Sequence, residues 1–316
     1  MINKLKICFI GIGSIAKRHI KNMVTICIED KIELEIDVLR NSDYSLPNDI
    51  NNFISHIYFT HTNVPNDYDI IFITNPTDLH LATLKQVHDK AKHFFIEKPI
   101  TSYKKIHEVK EIFYRKESIY YVACPLRFTN VIQYLKANIE ISDIVAVRCI
   151  SSSYLPDWRP GIDYRKTYSA HKNMGGGVSI DLIHEWDYIQ YLFGQPESIF
   201  YTSGKKSKLE IDSDDYAVYV AEYNDKIIEL HLDYFGRKTI RELMLFTTED
   251  TIIGDLINSK IIYMKKDKTI NLYEERNDYH VKELRYFLRM IDGKVECDNT
   301  IMQACTTIKY AQGVMK

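Results

Sequence analysis

The chain has 316 residues, 45% of them hydrophobic and 27% charged, with a formal net charge of −2. That length and balance predict two medium-sized domains of an ordinary globular protein and exclude a disordered chain. It carries no lysine- or arginine-rich run and no stretch near the roughly 20 apolar residues of a membrane helix, so neither nucleic acid nor a membrane is expected as a partner.

Lys4 and Lys6 precede the apolar run Ile7–Ile10, but that run is too short for a secretory signal and ends in glycines. The cysteines at 8, 27, 124, 149, 297 and 305 form no CxxC pair. They read as small core residues of a reduced, cytoplasmic protein, with no metal site expected.

Leu5–Ile10 is a short β-rich run that stops at Gly11-Ile12-Gly13-Ser14-Ile15-Ala16. A helical pattern follows through Arg18, His19, Ile20 and Met23. Strands are predicted again at 34–39, 69–74, 93–96 and 118–123, with helical patterns near 78–90 and 102–115. Strands alternating with helices predict an α/β, doubly wound parallel sheet over residues 1–124. In that setting GxGxxA is a dinucleotide fingerprint, with Gly11, Ile12, Gly13, Ser14 and Ile15 as the expected cofactor contacts. Gly11 permits the turn, Gly13 admits a phosphate to the backbone, and Ala16 lets the helix pack close.

The second strand ends Val38-Leu39-Arg40-Asn41-Ser42. With Asp37 inside the strand, its tip offers a cation and a hydroxyl rather than a carboxylate. Arg40, Asn41 and Ser42 therefore favour NADP(H) over NAD(H), although Asp43 keeps NAD(H) open and a solvated arginine is the plainer alternative. The next strand ends run Thr74-Asn75-Pro76-Thr77-Asp78-Leu79-His80 and Glu97-Lys98-Pro99. The first reads either as a turn with Asp78 capping the following helix or as a cofactor-facing loop through Thr74, Asn75, Pro76 and His80. In the second, Lys98 leaves a buried strand beside a candidate cis proline, where the alternative is a surface lysine.

After Pro125 the pattern changes. A helical segment at 130–140 leads to a strand at 143–152. Further strands are predicted near 197–203, 215–222, 226–234, 241–247, 251–255, 260–265 and 269–273, and helices near 278–291 and 299–314. Polar turns such as Tyr223-Asn224-Asp225-Lys226 indicate antiparallel pairing. Residues 125–316 are thus expected to form a substrate-binding and oligomerisation domain on a large, mostly antiparallel sheet. A second subunit is a natural cover for such a sheet, so a homodimer or homotetramer is expected through it.

Three glycines, Gly175–Gly177, open the segment GGGVSIDLIHEWD. On a helix starting near Val178, Asp181, His184 and Tyr188 share one stripe, while Ile180, Ile183 and Trp186 turn to the core. Taken alone, Asp181 reads as a helix N-terminal charge and His184 as a core histidine. Upstream, Trp158, Arg159, Asp163, Tyr164, Arg165 and Tyr168 form a polar–aromatic loop. Aromatic rings stack on sugars and arginine pairs with carboxylate or phosphate. Trp158, Arg159, Tyr164, Arg165 and Tyr168 are therefore candidate contacts to an anionic sugar or nucleotide sugar, with a plain surface loop as the alternative.

GIGSIA, TNPTDLH, EKP, PLRF at 125–128 and GGGVSIDLIHEWD occur in this order along nearly the whole chain. Together they resemble the Gfo/Idh/MocA oxidoreductases. The resemblance implies an N-terminal Rossmann domain and a C-terminal α/β domain. It also implies NAD(P)-dependent hydride transfer on a sugar-like alcohol or ketone, with Lys98 catalytic and Glu97, Lys98 and Arg127 near the cofactor. Residues 157–194 are most similar to members found among bacterial surface-polysaccharide and sialic-acid-like sugar genes, which suggests a role in surface glycan synthesis. One departure is visible: the family spaces its aspartate four residues before histidine or tyrosine, whereas Asp181 and His184 are three apart.

These residues together, with the resemblance, favour an active site over separate structural roles. His184 would exchange the hydroxyl proton, as an imidazole titrating at about 6.5 can. Lys98 would stabilise the developing oxyanion and Asp181 would orient the substrate or the lysine. The competing readings are a non-catalytic NAD(P)-binding regulator and a reductase of a non-sugar ligand such as a linear tetrapyrrole.

Overall fold

Ile7, Cys8, Phe9 and Ile10 are all buried, as are Ile70–Ile73 and Phe94–Ile96. Continuous apolar runs of this kind suit central strands of a parallel sheet covered on both faces. In the computed structural model, which describes residues 2–315, they are such strands. The sheet comprises β1 (Lys4–Ile10), β2 (Glu33–Leu39), β3 (His56–Tyr58), β4 (Tyr68–Ile73), β5 (Ala91–Ile96) and β6 (Tyr120–Val122). Its order is β3-β2-β1-β4-β5-β6, every recorded pairing parallel. The chain leaves β1 first toward β2 and β3 and returns on its other side at β4. The β1/β4 boundary is thus the topological switch point, the place where an open α/β sheet binds ligands.

The helices of this part are α1 (Ser14–Glu29), a single turn α2 (Asn48–Asn51) and α3 (His80–Val87). The helix expected near 102–115 is instead a 3₁₀ stretch, Tyr103–Glu111. Of its residues only Val109 is buried, so no apolar stripe wide enough to dock an α-helix exists there. The short β3 was not foreseen either. Its three residues carry exposed His56 and half-buried Ile57 and Tyr58, too little alternation to register.

Met1–Pro125 and His280–Cys305 form one compact unit, and Leu126–Tyr279 with Thr306–Lys316 a second. The second contains α4 (Asn130–Asn138), β7 (Ile144–Tyr154), α5 (Val178–Asp181), α6 (His184–Phe193), β8 (Ser198–Gly204), β9 (Tyr216–Glu222) and β10 (Ile227–Asp233). It continues through β11 (Phe235–Thr247), β12 (Thr251–Asp255), β13 (Lys260–Tyr263) and β14 (Lys268–Asn271). Helices α7 (Asp278–Ile291) and α8 (Ile301–Ala311) close the chain.

The eight strands β7–β14 form one sheet, ordered β14-β13-β12-β11-β7-β10-β9-β8. It is antiparallel apart from the β7/β10 pair. Strict alternation marks its two faces. Val147, Cys149, Ala217, Tyr219, Ala221, Leu230 and Leu243 are buried, while Arg148, Ile150, Val218, Glu229, His231 and Met244 line an open trough of about 490 Å³ on the other side.

The single helix expected from Val178 is broken. Leu182 leaves helical geometry at φ −96° and ψ 32°, and the backbone tightens to Ile183 N–Ile180 O and Glu185 N–Leu182 O bonds before α6 begins at His184. Asp181, Leu182 and Ile183 are all buried at this break. The stripe through Tyr188 is lost with it: Tyr188 is wholly buried, its hydroxyl 3.2 Å from Cys149 Sγ.

Candidate active site

In the first unit the glycine turn divides its labour. Gly11 has φ +87°, and a Cβ there would sit 2.7 Å from Asn75 Cα, so glycine is required where the ends of β1 and β4 meet. Gly13 has nothing within 4 Å of a Cβ, so the protein's own packing does not demand glycine there. Gly13 precedes α1 in extended geometry and gives no side-chain cap, which leaves the first N–H groups of a 16-residue helix unbonded by a cap. An uncapped helix start beneath open space is what a pyrophosphate needs. Ser14 is exposed and Ile15 half-buried on that first turn, and Ile12 O accepts a bond of 3.4 Å from the Tyr44 hydroxyl.

Thr74 Oγ1 donates to the carbonyls of Ile10 and Gly11 at 3.0 and 2.8 Å, which staples the two strand ends. Asn75 Nδ2 donates to Thr83 Oγ1 at 2.7 Å, and its buried Oδ1 has no partner among the described residues. Pro76 is exposed and opens the 3₁₀ turn Thr77–Leu79. Asp78 lies inside that turn and caps neither it nor α3, because the chain tightens one residue before the expected helix start. His80 is buried, with Nδ1 3.0 Å from Pro99 O and Nε2 2.8 Å from Asn75 O. Burial lowers its pKa against the opposing pull of these carbonyls, and a neutral ring can donate to only one at a time. It is a strut between the TNPTDLH and EKP loops.

Arg40 is 8% exposed, with its guanidinium 5.1 Å from the Tyr44 ring and 5.9 Å from the Phe59 ring. Its Nε and Nη1 have no hydrogen-bond partner among the described residues. Asn41 and Ser42 beside it are exposed. Asp37, one strand turn earlier, is committed elsewhere: Tyr68 donates to its Oδ2 at 2.6 Å, and His56 lies 3.1 Å from Oδ1. Glu35, Asp37 and His56 bring one ligand atom each within 4.8 Å of one another, but both Asp37 oxygens are already engaged. At the end of β5, Glu97 N donates to Ile73 O at 2.9 Å and Glu97 Oε1 is 2.7 Å from His19 Nε2. Lys98 follows, half-buried, with a cis bond to Pro99.

In the second unit, Arg127 is 5% exposed and its Nε and Nη2 grip the two oxygens of Asp187 at 2.9 and 2.8 Å. Its guanidinium also stacks 5.1 Å from the Tyr191 ring. This bidentate pair holds 3₁₀ turn Pro125–Phe128 to α6, whose first residue is half-buried His184. Asp181 is buried and accepts from the Tyr234 hydroxyl at 2.6 Å. The Tyr168 hydroxyl is held well above the ordinary tyrosine range, by burial first and by the Asp181 charge next.

The approach to Asp181 is framed by the polar–aromatic loop. Trp158 stands edge-on to Tyr234 at 5.2 Å and donates to Ser153 Oγ at 2.9 Å. Arg159 lies over Tyr168 at 5.4 Å. Arg165 is spent on Asp163, at 2.9 and 3.0 Å, and on Glu210 at 3.0 Å, and Tyr164 accepts from Glu210 N at 3.2 Å. Gly176 is obligatory, since a Cβ would meet Tyr168 O at 2.1 Å.

Sequence reasoning passed over two residues here. Arg237 is exposed and lies over the Tyr154 ring at 3.8 Å, in the irregular part of β11 between Phe235 and Ile240. Arg241 donates to wholly buried Glu185 at 2.7 Å beneath the start of α6. The Glu185 signal was an acid inside the apolar HEWD segment; Arg237 had none, because a bulge is invisible in local pattern.

Residues 5–124 match the family model described as "Oxidoreductase family, NAD-binding Rossmann fold", and residues 132–273 the one described as "GFO/IDH/MocA C-terminal domain". The chain belongs to the Gfo/Idh/MocA oxidoreductases. A curated relative, the uncharacterized oxidoreductase YrbE of Bacillus subtilis (strain 168), is 28% identical over 200 residues, 62% of this chain. The match spans 55% of that relative's length. Among solved structures, levoglucosan dehydrogenase in complex with NADH superposes with a TM-score of 0.84 at 14% identity, covering 98% of this chain and 96% of that one. UDP-N-acetylglucosamine 3-dehydrogenase GnnA from Acidithiobacillus ferrooxidans does so with a TM-score of 0.79 at 17% identity, covering 100% and 97%. This Gfo/Idh/MocA chain thus has the family's α/β fold: a parallel Rossmann sheet and a mostly antiparallel sheet.

Proposed function

We propose that this chain is an NADP(H)-dependent dehydrogenase or reductase acting on a hydroxyl or keto carbon of a sugar or nucleotide sugar. The uncapped start of α1 under open Gly13, at the end of β1 in the same sheet whose β5 leads into Lys98, carries this reading. The bound nicotinamide supplies or accepts the hydride. His184 moves the proton at the reacting oxygen, taking it in oxidation and returning it in reduction. Lys98 hydrogen-bonds the same oxygen and balances its developing charge. Asp181, tied to Tyr234, orients the substrate.

Arg40 supports NADP(H): a buried, partly unsatisfied guanidinium at the tip of β2 suits a 2′-phosphate, and the nearest strand acid is engaged by Tyr68 and His56. Trp158, Arg159, Tyr164, Arg165 and Tyr168 are the proposed substrate contacts, with Arg237 added and Arg165 acting through the loop it braces. Two arginines stacked on tyrosines favour a substrate bearing a phosphate or carboxylate, consistent with a role in surface glycan synthesis. The open trough of the eight-stranded sheet supports a homodimer or homotetramer built on that face.

The test is NADPH oxidation followed at 340 nm with a panel of keto sugars and nucleotide sugars. Lys98→Ala and His184→Ala should each lower turnover by about 100-fold or more. Near-normal rates in both variants would overturn the assignment.

A further inference from the structure

His19 lies on α1 and is 0% exposed. Its ring meets Phe95 edge-on at 5.1 Å and Phe72 at 6.1 Å, surroundings that would accept a leucine or phenylalanine. Its Nδ1 has no hydrogen-bond partner among the described residues, so its polar chemistry is directed at one group, Glu97 Oε1, 2.7 Å from Nε2. Such a buried pair is rarely retained for stability, since apolar residues of similar volume usually serve as well.

Its place in the fold supplies the reason. Glu97 is fixed by its own backbone bond to Ile73 and immediately precedes Lys98. His19 belongs to the helix whose N-terminus faces the cofactor turn. We propose that Glu97 is a positioning residue for Lys98, clamped by His19 so that the lysine is held in register with the cofactor helix. This rests on the role of Lys98 proposed above.

The charged and titratable groups facing Glu97 are His19 from α1, His80 from α3, His280 from α7 and Lys98 itself, with Arg18 Nη1 2.9 Å from His280 Nε2. Burial opposes ionisation of Glu97. The His19 bond and the charges of His19, Lys98 and His280 outweigh it and hold the carboxyl below the ordinary carboxylate range. The attraction is mutual, so a charged Glu97 favours the ammonium form of Lys98.

The experiment is labelling of the full chain with acetic anhydride, which attacks only the neutral amine, with modification of Lys98 followed against pH by peptide mass spectrometry. In Glu97→Gln the labelling midpoint of Lys98 should fall by about one pH unit or more. Turnover should drop about 10-fold or more while KM for NADPH stays within about three-fold. The double variant His19→Phe/Glu97→Leu guards against simple unfolding. It should melt no lower than the parent yet show the same shifted labelling. An unshifted Lys98 midpoint in both variants, or full turnover in Glu97→Gln, overturns the inference. Labelling needs no turnover, so a shifted midpoint in a chain that reduces no sugar supports the clamp and removes the dehydrogenase reading alone.

Discussion

Tyr234 donates to Asp181 at 2.6 Å, and that bond separates the two ionisable groups of GGGVSIDLIHEWD. Asp181 faces a tyrosine at the β10/β11 junction, while His184 starts a new helix. The three-residue spacing therefore does not describe a shared helical face. Tyr234→Phe leaves a buried carboxylate short of a donor and should cost about 1–3 kcal/mol, read by urea unfolding. Turnover should fall less than in His184→Ala. An unchanged urea midpoint would mean that water replaces the hydroxyl.

The side chains of Arg127 and Asp187 are 6% and 9% exposed, so breaking their bidentate pair strands a buried charge. Arg127→Ala should lose about 3–5 kcal/mol, and Arg127→Lys should recover little because an ammonium cannot fill the fork. Arg127→Met with Asp187→Leu should regain most of the loss. A thermal melt of the four proteins decides this, and a stable Arg127→Ala would contradict it.

Gly13 and Gly176 should fail in different ways. Gly13→Ala meets no atom within 4 Å and should melt like the parent while losing NADPH affinity about 10-fold or more. Gly176→Ala drives a Cβ to 2.1 Å from Tyr168 O and should lower the melting temperature through the 168–177 loop. Equal melting losses in the two variants would contradict this division.

Arg40→Ala should weaken NADPH about 10- to 100-fold, the worth of hydrogen bonds to a charged phosphate, and leave NADH nearly unchanged. Cofactor fluorescence titration reads both constants. Parallel losses for the two cofactors would remove the 2′-phosphate assignment.

The pH response has a definite sign. His80 is depressed by burial despite its carbonyl neighbours. In the unfolded chain it takes up a proton near about pH 6.5, before the folded chain does, so folding loses free energy as pH falls below that point. Glu97 and Asp233 act at lower pH. Burial opposes their ionisation, but His19 at Glu97, and His231 with Ser152 at Asp233, hold both carboxyls low. Their contribution is present above about pH 4 and is lost below it. The thermal midpoint should fall from pH 7.5 to 5.5 and again below 4. His93, also lowered by burial, acts in the same window, so His80→Gln should shrink the first step without abolishing it, and a midpoint constant from 7.5 to 5.5 would rule out the His80 account.

Local pattern determined a great deal. Apolar runs bounded by turn residues specify the parallel strands, because a strand covered on both faces must be apolar throughout. Alternation specifies the second sheet, because only one of its faces is packed. The glycine fingerprint, EKP and the GGG segment are legible for the same reason: each is a short backbone demand met by adjacent residues.

Tertiary structure decided what those residues touch. No spacing announces that His19 closes on Glu97, that Arg127 is taken by Asp187, or that Tyr234 holds Asp181, since partners 53 to 78 residues apart are joined only by folding. The break at Leu182 and the 3₁₀ stretch at Tyr103–Glu111 belong to the same class. At Tyr103–Glu111 the helix suggested by periodicity yields to how little of the segment the core receives, a quantity set by the assembled chain and not by the segment.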